Sequence, residues 1–230
     1  MKPRVLVVTI LAVALFVFSS GASAMNNIRI SIAGDSTAAT WTDPHPERGW
    51  GQYLGECFDR EIQIDNFAKP GASTKTFLRD GLWVKALASR PKYILIQFGH
   101  NDSHTSDHPE HTDADGLYSE LLRRFVKDAR AAGAVPVLLT PVQRRSTVDT
   151  LLPYAAAVRR VANETHTPLV DLHELSGKLY AELGASAQTE LGATQTDHAH
   201  FNQSGARRIA RLVAQGLIQA VPELRPHLIK

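Results

Sequence analysis

The chain has 230 residues, with 25 Lys and Arg against 23 Asp and Glu, 43% hydrophobic residues and a single cysteine. That length suits one domain with a sizeable core, one cysteine excludes an intrachain disulfide, and the charge balance excludes the cationic footprint of a nucleic-acid binder. The small basic excess disappears when the first 24 residues are set apart, because Lys2 and Arg4 are the only charged groups among them.

Those residues have the layout of a signal peptide: Lys2 and Arg4, an apolar run from Val5 to Phe18, and small residues at Ala22-Ser23-Ala24. The apolar run is shorter than the roughly 20 residues a membrane-spanning helix needs, and no later stretch approaches that length. The expectation is a secreted or periplasmic protein cleaved near Ala24, with residues 25–230 forming one domain that is read as a monomer with no membrane partner.

Ile28–Ala33 is the first short, apolar, β-branched run and predicts a buried strand. It leads into Gly34-Asp35-Ser36-Thr37, where the glycine allows a tight turn and the serine sits where backbone N–H groups point outward. By itself such a serine is as well read as a helix cap. After a loop at Thr42–Arg48, Trp50–Arg60 has helical spacing and carries Cys57 as a packing residue. The second strand, Ile62–Phe67, runs into a turn containing Gly71, whose bare N–H can approach a bound oxyanion or can simply serve the turn.

A helix is predicted over Thr76–Ser89, and the third strand over Tyr93–Phe98. Gly99-His100-Asn101-Asp102 follows, with an amide donor in Asn101, in what is otherwise an ordinary turn. His100, His104, His108 and His111, with Asp102 and Asp107 among them, have intervals at which imidazoles can ligate zinc. The surrounding Ser, Thr, Asp and Pro109 instead read as a solvated loop over His100–Asp115, so no metal or cofactor is called for, and His100 or His104 is placed at the cleft. The remaining pattern predicts a helix at Leu117–Ala132, a strand at Val135–Thr140, a helix at Tyr154–Glu164, a strand at Leu169–Leu172 and helices at Leu175–Leu183 and Gln203–Ala220. The loop Gly184–Ala199 closes on Asp197-His198-Ala199-His200. A carboxylate on one imidazole nitrogen fixes the tautomer and leaves the other free to take a proton, although a lone Asp-x-x-His is usually a surface loop.

Strands alternating with helices imply right-handed βαβ crossovers, hence a single-domain α/β fold in three α/β/α layers on a five-stranded parallel sheet. In such sheets the ligand crevice lies at the carboxyl ends of the strands. Four segments at or following predicted strand ends then supply a nucleophile, two oxyanion donors and an oriented base.

Gly34-Asp35-Ser36, Gly71, Gly99-x-Asn101-Asp102 and Asp197-x-x-His200 resemble, in order and spacing, the four signature blocks of SGNH (GDSL) hydrolases. The resemblance spans the whole chain after the leader. It implies a serine esterase with Ser36, Asp197 and His200 as the catalytic triad and Ser36, Gly71 and Asn101 as the oxyanion hole. In the flavodoxin-like strand order 2-1-3-4-5, the first strand lies between the second and third, which puts Gly71 and Asn101 on either side of Ser36. The Asp197–His200 loop follows the fifth strand, so residues 173–196 must carry it back.

A narrower set of segments is similar to rhamnogalacturonan acetylesterases: Gly49-Trp50-Gly51-Gln52, Phe98-Gly99-His100-Asn101-Asp102, Thr140-Pro141 with Arg144-Arg145, and Asp197-His198-Ala199-His200-Phe201. Such enzymes often carry Arg after the glycine of the second block, where this chain has Ala72. The resemblance implies an acetylated pectic polysaccharide as substrate, with Trp50, His100 and His198 as candidate substrate contacts. Arg144, Arg145, Lys69 and Arg48 are read either as partners for uronate carboxylates or as solvated surface groups. The alternatives are an acetylesterase acting on xylan or another glycan, a lipase or lysophospholipase, and an inactive carbohydrate-binding protein using Trp41, Trp50 and Trp83 as sugar platforms.

Overall fold

The structure, a computed structural model, describes residues 27–229, so the leader assigned to residues 1–24 lies outside the described residues. Five strands, β1 (Ile28–Gly34), β2 (Ile62–Asn66), β3 (Tyr93–Gln97), β4 (Val135–Leu139) and β5 (Leu169–Val170), form one parallel sheet in the order β2-β1-β3-β4-β5. Strand side chains alternate between the two faces, and each face is apolar. Ile30, Ile32, Leu95, Val137 and Leu139 pack against α7 (Gln203–Ala220) and the start of α5 (Leu172–Leu183). Ala33, Ile94, Ile96 and Leu138 pack against α1 (Thr74–Arg79), α2 (Leu82–Ala88), α3 (Ser119–Ala131) and α4 (Leu152–Glu164). The expected three-layer parallel fold is therefore the observed one.

Four elements differ from the sequence expectation, each for a local reason. Residues 50–57 form two short 3-10 turns, Trp50–Gln52 and Leu54–Cys57, instead of a helix to Arg60. Gly51 and Gly55 weaken helix there, and Phe58 turns extended. The helix expected over Thr76–Ser89 is two, because Gly81 at φ +70 stops the first and starts the second, and a capping box at Ser73 and Thr76 moves the start back to Thr74. Strand β5 is only Leu169–Val170, since Asp171 turns out of the sheet to cap α5 by accepting from Glu174 N. The loop Gly184–Ala199 contains a short helix, α6 (Ala187–Leu191), packed on α7.

The segment Gly49-Trp50-Gly51 lies directly against the turn that follows β1. Trp50 N donates to Thr37 O at 2.9 Å, and its indole is fully buried. This corrects the expectation that Trp50 lines a cleft: its face is in the core and its Nε1 donates to Gln97 Oε1 at 2.9 Å. A Cβ on Gly49 would overlap the Ala39 carbonyl oxygen and the backbone around it, which no side-chain movement can relieve. Gly49→Ala should therefore cost about 3 kcal/mol in urea unfolding, whereas Gly71→Ala, where a Cβ meets nothing, should cost only the strain of its positive φ.

Candidate active site

Ser36 is placed by a buried polar network beneath it. The Asp35 carboxylate, wholly buried, accepts from Thr37 N at 2.9 Å, Thr37 Oγ1 at 2.7 Å and Gln97 Nε2 at 3.2 Å. Ala38 N and Ala39 N donate to Asp35 O and close a single turn, which leaves Ser36 at its apex and 6% exposed. Burial pushes the Asp35 carboxyl above its ordinary range, partly offset by the bonds from Thr37. Trp41 Nε1 donates to Ser36 O at 3.0 Å and holds the far side of the turn.

His200 reaches this serine. Its Nε2 lies 2.8 Å from Ser36 Oγ and its Nδ1 lies 2.7 Å from Asp197 Oδ2. The carboxylate accepts the Nδ1 proton, so Nε2 is the nitrogen that accepts from the serine hydroxyl. Asp197 Oδ1 also accepts from Ala199 N at 2.8 Å and His200 N at 2.9 Å. Burial opposes its ionisation, but these bonds and the imidazole outweigh it and hold the Asp197 carboxyl below the usual range. Trp41 stands edge-on to the imidazole, ring centroids 6.0 Å apart.

The loop that carries His200 is held in place by residues outside the triad. Arg145 N donates to His198 O at 2.8 Å, and its guanidinium Nη2 donates to Asp197 O at 3.0 Å and His200 O at 2.6 Å. The same guanidinium packs over the Phe201 ring at 4.8 Å, and Nε donates to Gln188 Oε1 at 3.1 Å. Arg48 N donates to Phe201 O at 2.7 Å from the opposite side, and Asn202 caps α7 by accepting from Gly205 N at 2.8 Å. The long segment after β5 thus returns across the crevice between two anchors, the loop after β4 and the chain just before Trp50.

The two expected oxyanion elements stand on the strands that flank β1. Gly71 lies in the turn after β2 at φ +76. The Asn101 amide, after β3, donates one N–H to Ala72 O at 2.8 Å, which ties the two turns together and leaves its second N–H unused by that bond. Asp102 fixes this block from below: it accepts from Thr74 N at 3.1 Å, Thr74 Oγ1 at 2.5 Å and Thr112 Oγ1 at 2.7 Å.

A further expectation changes. His100, a candidate substrate contact, is 4% exposed and turned inward, with Nε2 2.9 Å from Val142 O. Burial, reinforced by Arg144, lowers its pKa to about 3, so it is a neutral strut between the loops after β3 and β4. The histidine cluster does not converge as a set, since His111 Nδ1 instead meets His104 O at 2.6 Å. Among the described residues, His104, His108 and Glu110 bring donor atoms within 4.8 Å of one another, on an outer loop. His198 is exposed and borders a cavity with Arg144 and Arg145. Of the three tryptophans, Trp83 is core, packed on Phe125 at 4.5 Å, and Trp41 alone borders the triad.

Residues 32–208 match the model of the GDSL-like Lipase/Acylhydrolase family. The chain belongs to that family. It is 34% identical over 225 residues to rhamnogalacturonan acetylesterase RhgT of Bacillus subtilis (strain 168), covering 88% of this chain and 94% of that protein. Among solved structures it resembles YxiM of Bacillus subtilis, with a TM-score of 0.72 and 27% identity over 84% of this chain and 56% of that one. It therefore spans a little over half the length of YxiM. A catalytic mutant of Axe2, an acetylxylan esterase from Geobacillus stearothermophilus, shares the fold at a TM-score of 0.66 and 19% identity, covering 85% of this chain and 94% of that one. As a GDSL-family chain with acetylesterase relatives, the protein is a carboxylic ester hydrolase.

The buried carboxylate under the Asn101 block gives a measurable pH dependence. Desolvation raises the Asp102 pKa from 3.8 to about 6, against the bonds from Thr74 and Thr112. The folded protein then holds a proton that the unfolded chain has released between these values, so stability is greatest below pH 4 on this account and falls as pH rises through 6, by about 3 kcal/mol. The Asp102 carboxyl carbon should titrate near pH 6 by NMR, and the corresponding slope in urea stability should be missing from Asp102→Asn.

Proposed function

We propose that this protein is a carbohydrate acetylesterase that removes O-acetyl groups from a plant cell-wall polysaccharide, pectic rhamnogalacturonan, by a serine acyl-enzyme mechanism. The observation that carries the reading is the continuous relay Ser36–His200–Asp197, at 2.8 and 2.7 Å, in a chain whose relative RhgT is named a rhamnogalacturonan acetylesterase.

In this mechanism Ser36 Oγ attacks the acetyl carbonyl while His200 Nε2 takes the hydroxyl proton. Asp197, held ionised by its hydrogen bonds, keeps the Nδ1 tautomer and stabilises the imidazolium. The N–H groups of Ser36 and Gly71 and the free N–H of Asn101 are the donors assigned to the tetrahedral oxyanion. Collapse breaks the bond to the sugar oxygen, which receives the proton from His200. Water then attacks the acetyl-serine with His200 as base, and acetate leaves. A leader at residues 1–24 would export the enzyme to where such polymers lie, as a secreted or periplasmic protein.

The intact relay argues against an inactive binding protein. Acetate release should be compared across acetylated rhamnogalacturonan, acetylated xylan and p-nitrophenyl esters of graded chain length. The expected order is rhamnogalacturonan first and acetyl above longer acyl groups, with Ser36→Ala lowering every rate by at least about 10³-fold. Preference for xylan, or for long acyl chains, contradicts the substrate assignment; undiminished turnover by Ser36→Ala contradicts the mechanism.

A further inference from the structure

The histidines in the loop after β3 divide into two groups. His100 turns inward to Val142 O, and His111 donates its Nδ1 proton to His104 O at 2.6 Å, so both are engaged with backbone. The rings of His104 and His108 instead meet edge to face, with centroids 4.7 Å apart. Glu110, which histidine spacing does not reveal, completes a set: its Oε2 lies 3.4 Å from His108 Nδ1. One ligand atom from each of the three lies within 4.8 Å of the others. Among the described residues, no other three His, Cys, Asp or Glu side chains come together in this way.

Zinc bound tetrahedrally by imidazole nitrogen and carboxylate oxygen, at about 2.0–2.2 Å, sets its ligand atoms roughly 3.3 Å apart. The His108–Glu110 pair already has that spacing. The widest remaining gap in the set needs to close by at most about 1.5 Å, which rotation of the half-exposed His108 side chain can supply. His104 Nδ1 is shielded from solvent yet has no hydrogen-bond partner, an unsatisfied polar atom within the set. Burial, and then His108, lowers the His104 pKa, so its ring is neutral and able to ligate at neutral pH. Burial opposes ionisation of Glu110, but a backbone bond and His108 outweigh it and hold the carboxyl below its ordinary range, which supplies the negative charge a divalent cation needs.

We propose that His104, His108 and Glu110 form a zinc-type divalent metal site, with water in the fourth position, that staples the loop after β3. The ligand-bearing chain is already turned by its backbone, with His108 N donating to Thr105 O at 2.9 Å and His111 N to His108 O at 3.1 Å. His104 N donates to Asn101 O at 3.2 Å, and Glu110 lines a cleft together with Gly71. A bound ion therefore stiffens the chain beside both turns assigned to the oxyanion. The site shares no residue with the Ser36–His200–Asp197 relay and does not depend on which ester is the substrate.

Calorimetric titration of the chelator-treated full protein with zinc chloride tests this, and binding is scored apart from turnover. One Zn²⁺ per chain is expected. Losing even an outer partner of a metal ligand costs about 10–100-fold in affinity, so Glu110→Gln and His108→Ala should each weaken Zn²⁺ at least about tenfold. His108 is exposed and the Glu110 change is isosteric, so neither puts folding at risk. His166→Asn removes an exposed histidine outside the set, at a positive φ that Asn tolerates, and should leave Zn²⁺ affinity unchanged. Zn²⁺ should also slow amide hydrogen exchange from His104 to His111 in the wild type but not in His108→Ala. No Zn²⁺ bound by the wild type, equal affinity in both ligand variants, an equal loss in His166→Asn, or binding that leaves exchange in this loop unchanged overturns the site.

Discussion

The constraint on which the site depends is the return of one loop. The serine follows the first strand, near one side of the sheet, while the imidazole follows the fifth, at the opposite edge. Hydrogen bonds from Arg145 and Arg48 to the backbone between Asp197 and Phe201 bring the imidazole within 2.8 Å of Ser36 Oγ. A guanidinium suits this task because its planar fork meets two carbonyls at once while its face rests on an aromatic ring, here Phe201. Positioning of this kind matters to rate, since a displacement of about 1 Å at a reacting group can cost on the order of 10²-fold.

Three carboxyl groups near the site are shifted in different directions by their surroundings. Asp35 and Asp102 lie wholly buried, where desolvation dominates and raises both, and they serve as acceptors that fix the Ser36 turn and the Asn101 block. Asp197 is less buried, receives two backbone N–H groups and the imidazole, and is lowered. The group that faces His200 is thus the one whose ionisation its surroundings favour, while the two beneath the turns brace the backbone. The rigid floor and the clamped loop together pre-organise the serine, its base and the two flanking turns before any substrate arrives.

The strand pattern and the parallel order were legible in the sequence because they rest on local signals, apolar β-branched runs and glycines at turns, whereas the meeting of Ser36, His200 and Asp197 was legible only from the joint pattern of four blocks and its resemblance to the SGNH signature. The misread parts depend on what the chain packs against. Trp50 looked like a cleft wall because it follows the first block, but Gly49 and Gly51 press it against the backbone of residues 38–39 and bury it. His100 sits between the third strand and Asn101, yet its ring turns inward to Val142 O, which spacing does not encode. Arg145 as the clamp of the catalytic loop is a contact across 52 and 55 residues and leaves no periodic trace. The signals available, its place just after the fourth strand and its part in the Arg144-Arg145 segment of the acetylesterase resemblance, pointed to the crevice but not to a clamp on the His200 loop.

In the proposed mechanism the clamped imidazole makes Ser36 the nucleophile. It is tested most directly by quenching the enzyme in acid during the first turnover of p-nitrophenyl acetate and mapping the bound acetyl group by peptide mass spectrometry. The expected result is one acetyl per chain, on the peptide containing Ser36 and at that side chain, formed with the initial burst of p-nitrophenol. An acetyl group on another residue, or a burst with Ser36 unmodified, would contradict it.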